Sequence, residues 1–319
     1  MVPPTRIAFL TLPNFSMIAL TNALEACRMA NYVAGNNVYA WQVVSIDGMP
    51  SAASNGLSLS PTVGFDELGD IECLFVCGGI DVRHATSRHL RDGLRRLARR
   101  NVTLGALCTG SFALAEAGLL DRHRCAIHWE NLAAIREEFP HIDFVEDLFV
   151  IDGSRITCTG GIAPLDLMLT LIEARLGPAL AAKVRQQFIV PRTRPAEHQQ
   201  RIVQGDHPLL KKAGRLMRES LAAPLTVAAL ADRVGVSPRQ LERLFQRHLA
   251  VGPAEFYAGL RLDRAQELLR LTHLSVTEVA LACGFQSPSH FSSRYHARFG
   301  RTPRAESNRK TTTARKEPA

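Results

Sequence analysis

The chain has 319 residues, room for two ordinary domains, and its 46% apolar and 21% charged composition is that of a folded protein with a substantial core. No continuous apolar run approaches the roughly 18 residues that span a bilayer, and Pro13, Asn14, Ser16, Asn22 and Glu25 interrupt any signal-peptide core, so the cytoplasm is the default expectation. The net charge of +8 is uneven: residues 1–190 carry 16 Lys and Arg against 19 Asp and Glu, residues 191–319 carry 22 against 11, and such a basic block calls for a polyanion, nucleic acid before membrane.

In the first half, apolar strand-like runs alternate with helical ones. Strands are predicted at 6–12, 41–46, 73–79, 102–108 and 155–161, and helices at 18–32, 86–100, 110–118, 130–139 and 163–176. This order implies an α/β fold, a largely parallel sheet sandwiched by helices. Ligands bind such sheets outside the carboxyl ends of the strands. Here those ends carry Gly78-Gly79, Cys108-Thr109-Gly110 and Gly160-Gly161, three small-residue turns at one edge. Cys108 enters a turn that opens a helix at once, where helix N–H groups and dipole favour thiolate over thiol. The seven cysteines (27, 73, 77, 108, 125, 158 and 283) are scattered and odd in number, as reduced thiols are. None has zinc spacing, so no metal or cofactor is expected. Cys73, Cys77, Cys125 and Cys158 read as small buried hydrophobes.

Residues 191–208 open on PRTRPAEHQQ, with two prolines and no apolar periodicity, and read as a linker between a domain at 1–190 and an all-helical one at 209–306. Residues 307–319 are polar and read as a disordered tail.

The basic half repeats itself. Val227/Val276, Ala231/Ala280 and Gly235/Gly284 are 49 apart, and Pro238/Pro288, Leu241/Phe291, Phe245/Tyr295 and Pro253/Pro303 are 50 apart. Each unit is a short helix, a glycine turn, a Ser-Pro start and a second helix, a helix-turn-helix written twice. Ser237 and Ser287 are the N-caps, with proline at the tolerated first helical position. Leu241, Leu244 and Phe245 face inward in one second helix, and Phe291, Tyr295 and Phe299 in the other. The outer stripes are then Arg239, Gln240 and Arg243, and Ser289, His290, Ser293 and Arg294. A long helix at 253–271 has the spacing to join the units rigidly, and two recognition helices on one body reach successive major grooves about 34 Å apart. Arginine reads guanine and glutamine reads adenine there. The bland alternative is a helical interaction bundle with solvated charges; the duplication, the charge and the polar stripes favour DNA.

Residues 209–306 resemble the AraC-type DNA-binding domain, ending in ALACGFQSPSHFSSRYHARFGRTP. Many relatives place an arginine where this chain has Ser293, followed here by Arg294, so which of the two reads DNA stays open. CGG (77–79), GALCTGSFALAEAGLLD (105–121), CAIHW (125–129) and TCTGGIAPLDLML (157–169) resemble the class I glutamine-amidotransferase-like, PfpI-type fold, a flavodoxin-like architecture. In hydrolytic members the resemblance implies a partnership of Cys108 with His128 and an acid early in the first helix. That acidic position falls near Ala19, and Asn14 to Leu24 holds no carboxylate. Chemistry needs an ionisable thiol, a base and an orienting partner, and the third is missing. Gly78, Gly79, Cys108, Thr109, His128, Trp129 and Glu130 are therefore read as a ligand pocket and not as a catalytic centre. A structural role remains open for Cys108 and for a core His128. Trp129 is core or offers its face to a cation, and Glu130 pairs with that cation or caps the helix that follows.

The combination resembles the amidotransferase-like subfamily of AraC-type regulators, in which the enzyme-like domain serves as a sensor. It implies a DNA-binding transcription regulator of catabolic genes, an activator though repression fits the sequence equally well, responding to an amino acid, betaine or carnitine-like inducer; a DNA-binding domain on an inert dimerisation scaffold is a further reading. The expected partners are double-stranded DNA half-sites, the inducer, RNA polymerase and a second copy of the chain. The competing function is a cysteine hydrolase or hydratase of a small amide or carbonyl compound with a DNA-binding module attached.

Overall fold

The structure, a computed structural model, describes residues 3–198, 200 and 207–313. Two compact units meet in the chain at Gln200 and Arg201.

In the first unit seven strands form one sheet: β1 (Thr5–Thr11), β2 (Tyr39–Ser45), β3 (Val63–Gly64), β4 (Cys73–Cys77), β5 (Thr103–Leu107), β6 (Phe149–Asp152) and β7 (Arg155–Cys158). Their order is β6-β7-β5-β4-β1-β2-β3, parallel throughout except for the β6–β7 pair. Because β1 is buried on both faces, its side chains alternate between two cores. Ile7 and Phe9 join the core under helices α1 (Met17–Ala34), α5 (Ala163–Leu176) and α6 (Pro178–Gln187). Ala8 and Leu10 join the core under α2 (Arg88–Arg99), α3 (Ser111–Glu116) and α4 (Trp129–Glu138). The chain leaves β1 toward β2 on one side and returns to β4 on the other, so the topological switch lies between β1 and β4. In sheets of this kind ligands bind outside the carboxyl ends of the strands at such a switch.

The predicted strands and helices of the first half are present, each shifted by a few residues. The pattern missed β3 and β6, the pairing of Arg124–Ala126 with Asp143–Val145, and α6. Strands of two to four residues carry no readable period, and the ten-residue α6 buries only Ala181 and Val184, too narrow a stripe to stand out.

The linker expected from residue 191 begins later. Arg194 donates its backbone N–H to Asp166 Oδ1 at 2.8 Å and its guanidinium to Oδ2 at 2.6 and 2.9 Å. Ala196 accepts from Leu148 N–H at 2.9 Å, and Gln200 is held by side chain and backbone. Polar partners outside the segment thus fold it onto the first unit, which an absence of apolar periodicity does not reveal. The rest of that stretch, residues 201–206, lies outside the described residues.

The second unit is helical: α7 (Pro208–Glu219), α8 (Val227–Val234), α9 (Pro238–Leu249), α10 (Pro253–Leu271), α11 (Val276–Ala282), α12 (Pro288–Phe299) and α13 (Pro303–Thr313). Ser237 forms a capping box with Gln240, and Ser287 accepts from His290 N–H. Thr226 and Ser275 cap α8 and α11 in the same way. The joining helix grips both repeats one turn apart. Tyr257 donates its hydroxyl to Ser220 O at 2.9 Å ahead of α8. Arg261 donates to Cys283 O at 2.7 Å and Gly284 O at 2.6 Å in the second turn, with its guanidinium 4.0 Å from the Phe285 ring centre. The chain from 307, expected as a tail, continues instead as α13 to Thr313, because Glu306 is buried against Arg270, Arg301 and Tyr295 and seats that helix. Residues 314–319 lie outside the described residues.

Candidate functional site

The three glycine-rich turns do converge at the switch point. Cys108 follows β5 with φ of 59°, a left-handed conformation rare for a side-chain-bearing residue. Its carbonyl accepts from His128 N–H at 3.1 Å. Gly160 closes the other side. A Cβ there would lie 2.8 Å from His128 Cδ2 and 3.1 Å from Cys108 Sγ, so the thiol and the imidazole edge flank one bare backbone position. The Gly79 backbone is pressed against the loop after β1, where a Cβ would overlap the Asn14 carbonyl oxygen. A Cβ on Gly78 would lie 2.5 Å from Gly110 N. The Thr109 hydroxyl donates to Gly79 O at 2.7 Å. Thr109 is therefore a tie between two turns, its hydroxyl committed to protein. Glu130 is exposed, its Oε2 3.8 Å from His128 Nδ1, and the Trp129 ring lies 5.5 Å from that of His128.

The expectation of a thiolate is overturned. Burial pushes the Cys108 thiol up to about 11, although hydrogen bonds from the Thr109 backbone and the Ser16 side chain pull it down; the Glu130 charge adds to the rise. The helix that follows has only six residues, a weak dipole source against a buried sulfur. Burial thus favours the thiol over the thiolate at neutral pH. Alkylation by iodoacetamide, followed at the Cys108 peptide, should climb steadily from pH 7 toward pH 11; a plateau near pH 7 would contradict this assignment. Ala19 is buried in the same apolar cluster as Cys108, so the expected absence of a carboxylate near that position leaves an apolar wall there.

Sequence reasoning missed Ser16 and the pocket rim. Ser16 precedes α1 and looks like an N-cap, yet it makes no capping hydrogen bond, and its side chain turns to the Cys108 sulfur. Ile18, Ile80 and Ile162, each on a segment following a different one of these strands, stay more than half exposed. Among the described residues no group of three or more metal-ligating side chains occurs, and no helix is long and apolar enough to cross a membrane. All seven cysteines are buried and none is in a disulfide.

In the second unit Leu241, Phe245, Phe291 and Tyr295 are buried, and Leu244 and Phe299 half-buried. Arg239, Gln240, Arg243, Ser289, His290, Ser293 and Arg294 are all exposed on α9 and α12. One of them is compromised as a reader. Gln240 Oε1 accepts from Ser237 N–H at 2.9 Å and from its hydroxyl at 3.0 Å, which occupies the acceptor that a bidentate adenine contact needs. Ser289 likewise bonds Ser287 across 2.8 Å.

The fold and the two surfaces define a two-unit protein, a pocketed α/β unit of enzyme-like design followed by a double helix-turn-helix. Residues 5–174 match the DJ-1/PfpI family and residues 230–309 the helix-turn-helix domain. The chain is 45% identical over 301 residues to the HTH-type transcriptional regulator CdhR of Pseudomonas aeruginosa, covering 92% of this chain and 89% of that one. It is 43% identical over 308 residues to the HTH-type transcriptional regulator GbdR of the same species, covering 95% and 84%. A crystal structure of an AraC family transcriptional regulator from Pseudomonas putida superposes with a TM-score of 0.53 at 29% identity, covering 58% of this chain and all of that one. Isonitrile hydratase of Pseudomonas putida is 30% identical over 186 residues, 57% of this chain and 77% of the enzyme. The chain belongs to the AraC-type helix-turn-helix transcription regulators that carry an N-terminal DJ-1/PfpI domain.

Proposed function

We propose that the first unit is a non-catalytic sensor of a small nitrogenous metabolite, an amino acid, betaine or carnitine-like compound, and that the bound chain activates catabolic genes. The observation that carries this reading is Cys108 buried in an apolar cluster that also holds Ala19, near which the resemblance to hydrolytic members would place an acid. The cleft still offers a carboxylate at Glu130, an indole at Trp129 and an imidazole at His128, beside exposed isoleucines, groups suited to a methylated or primary cation. Gly78, Gly79, Cys108 and Thr109 shape its floor. Occupancy biases how the basic unit sits on DNA. We place the protein in the cytoplasm, acting as a homodimer on paired half-sites and engaging RNA polymerase.

Thermal unfolding of the full chain across amino acids, glycine betaine and carnitine tests this. Saturation at 100 times the dissociation constant adds about 2.7 kcal/mol. A rise in melting temperature with the compound recovered unchanged supports the sensor. Consumption of the compound supports the second reading, a cysteine hydratase or hydrolase, which the left-handed Cys108 turn and the isonitrile hydratase likeness favour.

On the DNA side, Arg239, Arg243 and Arg294 are proposed as base readers, with Ser289, His290 and Ser293 beside them. Replacing Arg243 or Arg294 by Ala should cost about 1–3 kcal/mol on the preferred site and relax selectivity at one base pair. Binding curves on a set of single-base site variants check this. A loss uniform across every variant would make the residue a phosphate contact instead.

A further inference from the structure

The last described residue of the first unit is tied to the backs of the two pocket walls. Gln200 Nε2 donates to Ile127 O and to Asp147 O, each at 2.9 Å, and its Oε1 accepts from the Thr159 hydroxyl at 2.7 Å. The carboxamide spends both donors and its acceptor on three chain segments, a satisfied polar junction. Two of those segments lead straight into the pocket. Ile127 precedes His128, and Thr159 precedes Gly160, whose bare backbone faces His128 and the Cys108 sulfur. Thr159 N–H also donates to Leu148 O at 2.8 Å, and Leu148 N–H donates to Ala196 O at 2.9 Å, so the same walls are laced to the segment ending in Gln200. Six residues earlier that segment has a separate anchor in the Arg194–Asp166 ion pair. Beyond Gln200 the chain runs on toward the DNA-binding unit.

We propose that Gln200 is a positioning residue that couples the pocket to the tether of the DNA-binding unit. Its three hydrogen bonds are short and hold only while Ile127 and Thr159 keep their present separation; a displacement of one wall by about 1 Å carries a bond beyond useful length. Contacts that keep His128 and Gly160 in this register favour the latched tether. Contacts that spread them favour release. Letting go at Gln200 while Arg194 and Ala196 stay anchored lengthens the tether by the four residues after Ala196, about 13 Å of reach, which in the proposed homodimer lowers the effective concentration of the second DNA-binding unit at its half-site. The coupling is reciprocal, so the tether's state also biases the pocket.

The proposal rests on the Cys108 cleft being the sensing pocket, but its test needs no ligand. Failure of the ligand panel above and failure of the latch therefore give different results. Gly160→Ala places a methyl group between the walls, and Gln200→Ala removes the junction. The full chain and its two single and one double variants are titrated with a duplex selected from random sequence by the wild-type chain. With Gln200 present, Gly160→Ala should shift the dissociation constant by roughly fivefold or more; in the Gln200→Ala background the same change should shift it by less than about twofold. Equal effects in both backgrounds, or no effect in either, overturn the proposal. Thr159→Val removes the hydroxyl without adding bulk and serves if Gly160→Ala does not fold. It should move DNA affinity in the direction of Gln200→Ala, and the pair together no further than either alone. Additive effects of that pair would likewise overturn it.

Discussion

Glu306→Ala is expected to destabilise the DNA-binding unit by about 2–4 kcal/mol, at the lower end of what removing one partner from a buried ion pair costs, because the arginine left behind can reach water. The side chain of Glu306 is 1% exposed, with Arg270 Nε 2.8 Å and Arg301 Nε 3.7 Å away and the Tyr295 hydroxyl donating at 3.2 Å. Arg270 is half exposed and recovers hydration; the Tyr295 hydroxyl and the cavity do not. Tyr295 lies on the buried face of α12, so the loss reaches the proposed reading helix itself. Burial pushes the Glu306 carboxyl up, but the Arg270 hydrogen bond and the charges of Arg270 and Arg301 outweigh it, and it sits below its ordinary value. A lowered carboxylate contributes stability that is fully present above its unfolded value, about 4.3, and is lost as pH falls through the folded one. The variant should therefore lose most against wild type near pH 7, with the gap narrowing below about pH 4. Both tryptophans, Trp41 and Trp129, lie in the first unit, so fluorescence melting should stay unchanged while the calorimetric transition of the second unit moves. A shift under about 1 kcal/mol would mean that α13 is seated by other contacts.

Much of this architecture is legible in the chain because the physics that builds it is local. The runs at Cys73–Cys77 and Leu104–Leu107 are without a polar residue, as strands covered on both faces are. The two helix-turn-helix units are readable because they are written twice, and Ser237 and Ser287 declare their helices within four residues. Thr226 and Ser275 carried a comparable signal, most clearly the Ser275-Val-Thr-Glu278 capping box. What stayed hidden depends on residues far apart in sequence. Asp166 and Arg194 meet across 28 positions, and Gln200 reaches back 73 to Ile127. Nothing local marks Ser16 as a neighbour of Cys108. The thiolate expectation failed for a related reason, since a turn before a helix is visible in sequence whereas the burial that overrides it is not. Gln240 shows the opposite case. An exposed glutamine on a reading helix looks like a base contact, but the capping box that employs it was within sight three residues after Ser237.

The second large effect is expected at Gly79, where the enzyme-like turn meets the loop after β1. Gly79→Ala should destabilise the first unit by about 3 kcal/mol or more, because overpacking at a rigid contact forces the backbone to move. The added methyl would strike the Asn14 carbonyl oxygen and lie 2.8 Å from the carbonyl carbons of Asn14 and Phe15, main-chain atoms with no rotamer to retreat into. Those atoms are fixed in turn: Asn14 N–H donates to Ala52 O at 2.8 Å, and Ile80 N–H to Asn14 O at 3.1 Å. Moving the loop carries Ser16 and Ala19 away from Cys108, so the sulfur loses a hydrogen bond and gains solvent. Iodoacetamide should then react faster with Cys108 than in the wild type, and any stabilisation by a bound metabolite should vanish. Gly118→Ala is the control, a left-handed glycine at φ of 66° with open space around it; it should cost only about 1 kcal/mol of backbone strain and leave Cys108 as slow as before. Tryptophan-detected melting separates the two variants, and equal losses would mean that the close approach at Gly79 is not what shapes the pocket. If Gly79→Ala opens the cleft while the calorimetric transition of the second unit is unchanged, the pocket is shown to be built by one backbone contact between the β1 and β4 turns.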